Sequence, residues 1–160
     1  MAYKVSIIPG KNIVGPDDLD QNLKNGCDEV TQYGTNIYVC GAHGSGKSSV
    51  LEYFKSKSEY YFGIYESDIL FMSSYELANE ILNELDLFES KVFASKLMII
   101  DDVDYLDVMD LVQDELIKLM ETDKTIIFSG SRDVKELKLK KEIVNKIRNY
   151  TVMKIEEYDE

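Results

Sequence analysis

The segment Gly41-Ala-His-Gly-Ser-Gly-Lys-Ser48 decides the fold, because it satisfies the phosphate-loop pattern G-x-x-x-x-G-K-[ST] in full. A short β-rich run, Asn36–Cys40, precedes it, and Lys47–Ser56 reads as a helix that follows. The pattern needs this order of strand, glycine loop and helix. Its glycines let backbone N–H groups turn inward around phosphate oxygens, and the helix start adds the positive end of its dipole. The segment therefore predicts a phosphate site in which Lys47 neutralises the β and γ phosphates and the Ser48 hydroxyl binds magnesium.

The residues predicted to contact a bound nucleotide are those of the loop and the next position. They are Gly41, Ala42, His43, Gly44, Ser45, Gly46, Lys47, Ser48 and Ser49. His43 is the only histidine of the chain. We interpret it as a loop residue at a variable position rather than a catalytic group, because backbone N–H groups bind the phosphates in such loops.

Apolar strand runs alternate with helical stripes along the chain, which predicts an α/β fold. We expect a three-layer α/β/α sandwich around a five-stranded, mostly parallel sheet, as one domain over residues 1–160. A further short strand at Tyr3–Ile8 leads into an entry loop, and Asp17–Val30 has helical character. The five strands are expected at Asn36–Cys40, Asp68–Met72, Leu97–Ile100, Thr125–Phe128 and Tyr150–Ile155.

Two acids end the third of these strands, in Leu97-Met-Ile-Ile-Asp-Asp102. This arrangement is typical of a Walker B motif, in which Asp101 holds magnesium through water and Asp102 polarises the attacking water. Acids after a strand are ordinary loop residues when they stand alone, but here they accompany a complete phosphate loop. We expect Asp104 to be a solvated loop acid or a helix cap.

The fourth strand ends in Ser129-Gly-Ser-Arg132. Ser129 or Ser131 could sense the γ-phosphate or the attacking water, and a plain strand-to-helix turn is an equal alternative. Ligands of parallel sheets bind at the carboxyl ends of the strands. We therefore expect Gly41–Ser48, Asp101–Asp104 and Ser129–Arg132 to open toward one edge of the sheet.

Composition narrows the class of protein. The 160 residues carry 30 acids and 18 bases, a net charge of −12, which argues against a broad nucleic-acid surface. Two cysteines, Cys27 and Cys40, form neither a disulfide framework nor a zinc site. No apolar run approaches the ~18 residues of a membrane span, and no signal peptide begins the chain, so we expect a soluble protein of the cytoplasm with no membrane contact.

Charge is unevenly spread along the chain. Tyr75–Ser90 holds five acids and no base, whereas Arg132–Arg148 holds seven bases and three acids. We interpret most of these residues as solvated faces, and head-to-tail association of oppositely charged patches is the alternative.

Taken together, these motifs resemble the AAA+ nucleotide-binding domain of the bacterial replication initiator DnaA and of its shorter paralogues such as the regulator Hda. Asn12-Ile-Val-Gly-Pro16 looks like the segment that approaches the adenine in that family, which implies contacts from Val14 and Gly15. Leu97–Leu106 is similar to its Walker B region, and Ile126–Arg132 to its sensor 1. The resemblance implies strand order 5-1-4-3-2 and a bound ATP or ADP with Mg²⁺.

The chain also departs from the family. We expect no counterpart of the helical lid or of a helix-turn-helix domain after the fifth strand. The arginine-finger helix of the family matches Ile143–Arg148, where Lys146 or Arg148 could take the role. Lysine lacks the planar fork of arginine and would be a poor finger. The helices that grip single-stranded DNA in initiators match the acidic Tyr75–Ser90, so we do not expect direct DNA binding.

The function expected from the sequence is a DnaA-like ATP/ADP-binding protein with at most slow ATPase activity in isolation. It would act in the control or assembly of replication initiation, through another AAA+ protein such as an initiator, or through itself head-to-tail. A nucleotide-independent interaction scaffold is the main alternative. A small-molecule kinase comes last, because it would need an arginine-bearing lid and the only arginines are Arg132 and Arg148.

Overall fold

The computed structural model describes residues 4–8 and 19–156, so Val14 and Gly15 lie outside the described residues. The described chain forms a single sheet of parallel strands flanked by helices. The strands are β1 (Lys4–Ile7), β2 (Ile37–Gly41), β3 (Ile69–Ser73), β4 (Leu97–Asp101), β5 (Thr125–Gly130) and β6 (Thr151–Ile155). Their order across the sheet is β1-β6-β2-β5-β4-β3.

The sheet has six strands rather than the five expected. The additional strand is β1, which pairs with β6 from Lys4 opposite Val152 to Ile7 opposite Ile155. The other five strands follow the order that the family resemblance implies, because the predicted first strand is β2 and the predicted fifth is β6. Every pairing in the sheet is parallel, which sends all the carboxyl ends to one edge.

Helices cover both faces of this sheet. They are α1 (Gln21–Tyr33), α2 (Lys47–Ser56), α3 (Ser58–Phe62), α4 (Ser74–Asn83), α5 (Leu85–Ala94), α6 (Asp110–Met120) and α7 (Lys141–Ile147). Two buried clusters lie on opposite sides of the strands. In one cluster, α1 and α2 pack on the sheet through residues such as Val30, Phe54 and Ile99. In the other, the four helices α4, α5, α6 and α7 pack on the opposite face through residues such as Leu77, Leu116 and Ile100.

Alternation along the strands explains the three layers. Ile37 and Val39 of β2 belong to the cluster beneath α1 and α2, whereas Tyr38 and Cys40 belong to the cluster beneath α4 to α7. Successive side chains of a strand point to opposite faces, so a continuous apolar run fills two cores at once. The expected three-layer α/β/α sandwich is confirmed.

Local signals set several helix starts. Ser73 and Glu76 form a reciprocal capping box at the start of α4, as their spacing predicts. Asp20 caps α1, which begins at Gln21, later than the predicted Asp17. The apolar residues that recur at helical spacing from Val108 to Leu119 are only partly buried: α6 begins at Asp110, Leu111 is 69% exposed, and Val108 before the helix is 82% exposed.

Candidate functional site

The loop from β2 to α2 has the backbone of an anion cradle. Gly44 and Gly46 adopt φ values of 81° and 106°, in the region that favours glycine. Gly46 caps α2, and the structure shows no side-chain cap for the N–H groups that open this helix among the described residues. Four N–H groups at a helix start lack intrahelical partners, and together with the dipole they attract anions. This end of α2 therefore leaves its donors for a ligand.

Gly41 and Ser45 pack tightly inside the same loop. A Cβ atom on Gly41 would lie 2.5 Å from the Ser45 hydroxyl and 3.1 Å from the backbone of Ile155, so only glycine fits there. The Ser45 hydroxyl is buried and has no hydrogen-bond partner among the described residues. A buried polar atom without a hydrogen-bond partner is costly.

Lys47 folds back over the loop. Its Nζ donates hydrogen bonds to the carbonyl oxygens of Gly41, at 2.7 Å, and Ala42, at 3.3 Å. Within residues 4–8 and 19–156, no carboxylate lies within 4.0 Å of this ammonium. The positive charge is therefore held beside the loop by neutral acceptors and is not neutralised by an ion pair.

A chain of hydrogen bonds links the loop to the ends of β4 and β5. The Ser48 hydroxyl donates to Asp101 Oδ2 at 3.1 Å, and the Ser129 hydroxyl donates to Asp101 Oδ1. The backbone N–H of Asp102 donates to Ser129 Oγ at 2.8 Å. Both oxygens of Asp101 are thus fixed, with one turned toward Ser48.

Asp102 stands at a constrained position. It is the one residue with positive φ that is not glycine among the described residues, at φ 61° and ψ 60°. Such a conformation costs about 1–3 kcal/mol and clusters at functional sites. Burial raises the pKa of its carboxyl group, and the carboxylates of Asp104 and Asp101 raise it further, against the opposing effect of Lys47 and His43.

Asp104 corrects the expectation of a solvated or capping acid. Its Oδ2 accepts hydrogen bonds from the Ser131 backbone N–H, at 2.7 Å, and from the Ser131 hydroxyl. Its Oδ1 is buried without a partner among the described residues. Beside it, the buried Tyr38 hydroxyl donates to the carbonyl oxygen of Arg132 at 2.6 Å. Asp104 and Tyr38 therefore hold the turn after β5, and motif reading missed both.

The polar clusters meet around one cavity of about 470 Å³, as the common edge of the strands predicts. Ser129 is fully buried behind Asp101 and does not line the cavity, whereas Ser131 does. The finger candidates are elsewhere: Lys146 lies 3.9 Å from Glu121, and Arg148 is exposed just after α7. The cavity is lined by His43, Gly44, Gly46, Lys47, Ser48, Ser49, Asp101, Asp102 and Ser131.

A parallel sheet in this order, with a glycine loop after β2 and acids after β4, defines the chain as a P-loop protein of the AAA+ type. Comparison with protein families places it further. The family model described as the bacterial DnaA ATPase domain matches residues 26–153, and the chain belongs to this family.

Solved structures of replication proteins share the fold. Domain III of the replication initiation protein DnaA from Thermotoga maritima is 22% identical, with a TM-score of 0.73 over 92% of this chain and 66% of that one. AMPPCP-bound DnaA from Aquifex aeolicus is 19% identical, with a TM-score of 0.68 over 83% of this chain and 44% of that one. The DnaC helicase loader is 14% identical, with a TM-score of 0.63 over 84% and 86%.

At identities of 14–22%, these similarities to solved structures show that the fold is shared. The chain spans 44% of the Aquifex DnaA chain and 66% of the Thermotoga domain. No curated protein matches the sequence significantly. Among the described residues, none of the helices is both long and apolar enough to cross a membrane.

Proposed function

We propose that the chain binds ATP or ADP, with magnesium, in the cavity at the carboxyl ends of β2, β4 and β5. The observation that carries this proposal is the anion cradle. Among the described residues, the N–H groups at the start of α2 have no side-chain cap, and the Lys47 ammonium beside them has no carboxylate within 4.0 Å. Family membership and the AMPPCP-bound state of the Aquifex DnaA support the same ligand class.

The oxygens of Ser48 and Asp101 fit magnesium. A serine hydroxyl and a carboxylate lie 3.1 Å apart at the mouth of the loop, and magnesium prefers such hard oxygen ligands. Magnesium usually takes one or two protein ligands and fills its octahedron with waters and substrate phosphates. We assign Ser48 and Asp101 as these two, with Asp101 acting directly or through water. The metal would supply charge neutralisation between the β and γ phosphates.

The remaining cavity residues divide by position. Asp102 faces the cavity with a raised carboxyl pKa, and we assign it as the base that orients and polarises the attacking water. Ser131 also lines the cavity, and we assign it as the γ-phosphate sensor. Ser129 is fully buried and does not contact the nucleotide in this proposal. It positions the acids, because its hydroxyl is hydrogen-bonded to the carboxylate of Asp101 and to the backbone N–H of Asp102.

Turnover by the isolated chain is expected to be slow. Neither Lys146 nor Arg148 lines the cavity, so neither candidate finger of the described chain would contact the phosphates of a nucleotide bound in that cavity. An arginine finger is worth roughly 10³–10⁵ in rate where it has been measured. A finger role for either residue would have to be exercised on the site of a neighbouring molecule.

The biological task that we propose is the control or assembly of replication initiation, through contact with another AAA+ protein or with further copies of this chain. Membership in the DnaA ATPase family supports the process, and the likeness to a DnaC helicase loader supports a role beside other replication proteins. The net charge of −12 argues for a protein partner rather than for DNA.

Calorimetric titration with Mg·ATP and with Mg·ADP tests the proposal. We expect micromolar binding that Lys47→Ala abolishes and that EDTA weakens. Lys138→Ala is the matched control, since it removes an exposed lysine that does not line the cavity, and this variant should bind nucleotide as the unchanged chain does. Absence of binding up to millimolar nucleotide would overturn the proposal and leave the fold as an interaction scaffold.

A further inference from the structure

The side of the sheet that carries α4, α5 and α6 exposes large apolar side chains. Leu82 of α4 is 55% exposed, Phe93 of α5 is 88% exposed and Leu111 of α6 is 69% exposed. Single exposed apolar residues are ordinary, but a contiguous apolar patch marks an interaction site. These three side chains lie along two adjoining clefts, which makes their exposure a property of one surface.

The two clefts adjoin each other. The first, of about 570 Å³, runs between α4 and α6 and is lined by Leu82, Leu85 and Leu111 among others. The second, of about 300 Å³, runs between α5 and α6 and includes Phe93. Glu115 and Lys118 line both clefts and pair with each other at 3.0 Å. We call these two clefts together the α4–α6 groove.

The helices that form the groove are rich in acids, although Lys118 and Lys124 line it beside Glu89, Asp114 and Glu115. Helices α4, α5 and α6, with Glu84 between the first two, carry eight acids and only two bases, Lys91 and Lys118. Both bases are already paired within this surface, Lys91 to Glu80 at 2.7 Å and Lys118 to Glu115. The exposed carboxylates of Glu84, Asp86 and Glu89 have no ion pair within 4.0 Å among the described residues.

We propose that the α4–α6 groove binds a basic amphipathic helix of a partner protein. The apolar floor between the helices suits an apolar helix face with anchors at i, i+3, i+4 and i+7. Each of the lining helices, about ten residues long, extends for about 15 Å, enough for three turns of a bound helix. The unpaired acids complement lysines or arginines on its flanks and repel nucleic acid.

This proposal goes beyond the nucleotide site and does not depend on it. No residue that lines the groove also lines the nucleotide cavity. The binding of a helix can therefore be measured without nucleotide, and loss of one activity would leave the other intact.

Fluorescence anisotropy with three synthetic peptides tests the proposal on the full chain. The probe is a helical peptide of about 15 residues with leucines at the helical spacing and lysines elsewhere. One comparison peptide replaces the lysines by glutamates, and the other keeps the lysines and replaces the leucines by serines. We expect saturable binding of the probe, at least tenfold tighter than either comparison peptide and weakened by salt.

Two surface variants locate the binding. Phe93→Ser and Leu111→Ser should each weaken probe binding at least fivefold, and both side chains are exposed enough to be replaced without unfolding the chain. Tyr60→Ser is the control, because Tyr60 is 79% exposed on α3, across the sheet. Equal binding by all three variants would overturn the proposal. So would dimerisation that Leu111→Ser abolishes, since a second copy would then cover the groove.

Discussion

Replacing Gly130 by alanine tests how the end of β5 is built. Gly130 is buried between Ser129 and Ser131, and a Cβ atom there would overlap the Tyr38 hydroxyl oxygen. The same atom would lie 3.1 Å from Tyr38 Cζ and from Asp104 Oδ1. The φ of Gly130 is not in the left-handed region, so alanine adds no backbone strain and the conflict is steric alone.

The size of the effect follows from how firmly Tyr38 is held. Its ring is fully buried and its hydroxyl donates to Arg132 O at 2.6 Å, so it cannot retreat without losing this bond. Overpacking costs about 1–3 kcal/mol, and a lost hydrogen bond about 1 kcal/mol more. We expect Gly130→Ala to lower the free energy of unfolding by about 2–4 kcal/mol, which for a chain of this size corresponds to roughly 4–16 °C in Tm.

A double-mutant cycle separates this steric conflict from other causes. Tyr38→Phe alone should cost about 1 kcal/mol, because the carbonyl of Arg132 loses its donor. In the Tyr38→Phe background, Gly130→Ala should cost less than about 1 kcal/mol, because the overlapping oxygen is gone. Urea unfolding followed by circular dichroism measures all four proteins.

Gly63→Ala provides the matched control for this cycle. Gly63 has a φ of 67° in open space, so alanine there adds strain that Tyr38→Phe cannot relieve. Additive costs of Gly130→Ala and Tyr38→Phe would refute the steric reasoning. A cost of Gly130→Ala below about 0.5 kcal/mol would refute it as well.

Three further predictions address the site, the titration of the core and a helix start. Asp104→Ala should weaken ATP binding several-fold more than ADP binding in calorimetry, because Ser131 loses both hydrogen bonds that hold it, whereas Asp107→Ala, at an exposed neighbour, should change neither. Burial raises the pKa values of the Cys27 thiol and the Tyr38 and Tyr150 hydroxyls above their ordinary 9.0 and 10.0, so the unfolded chain releases these protons first. Stability should therefore fall by about 1.4 kcal/mol per pH unit for each group, from about pH 9 for the thiol and from about pH 10 for the hydroxyls. Urea midpoints from pH 8 to 11 measure this fall, and an unchanged midpoint would contradict it; Cys27→Ala should flatten the decline between pH 9 and 10. Ser73→Ala should lower the free energy of unfolding by about 1 kcal/mol through loss of the capping box of α4, whereas Ser90→Ala on the exposed surface of α5 should not.

Patterns that are local in sequence could be predicted for this chain. The phosphate loop needs only the residues between Gly41 and Ser48, and the capping box needs only Ser73 to Glu76, so each can be recognised in a single window. The buried strands are recognisable because a strand covered on both faces must be apolar throughout. The strand order came from the resemblance, since alternation of strands and helices fixes no order.

Features that depend on distant pairing were missed. The strand β1 joins the sheet only through β6, at the other end of the chain, and nothing within Lys4–Ile7 indicates this partner. Apolar residues recur at helical intervals from Leu77 to Leu85, but this run is divided between α4 and α5, because Glu84 leaves the helical conformation at φ −144°. The helical spacing of apolar residues continues across Glu84, so spacing alone does not reveal that the helix ends there and a second helix begins.

The pairing of Asp104 with Ser131 could be predicted from the register between β4 and β5, which sequence motifs alone do not include. Ile100 of β4 lies opposite Phe128 of β5, so residues that follow these positions at similar distances leave the sheet side by side. Asp104 is four residues after Ile100, and Ser131 is three after Phe128. Once the two strands are placed next to each other, an acid and a serine at these positions are natural partners, and their pairing could have been proposed before any coordinates.

The hydrogen bonds at this edge of the sheet also explain why the acids differ in role. Both carboxylate oxygens of Asp101 accept hydrogen bonds from serine hydroxyls, so the side chain is held in one orientation, as a metal ligand requires. Asp102 is held only through its backbone, leaving its carboxylate at the cavity with a raised pKa, which suits work on a proton. Asp104 is committed to Ser131 and positions a neighbour. Three carboxylates within four residues thus receive three environments, and the fixed neighbours of each, rather than its residue type, determine what it can do.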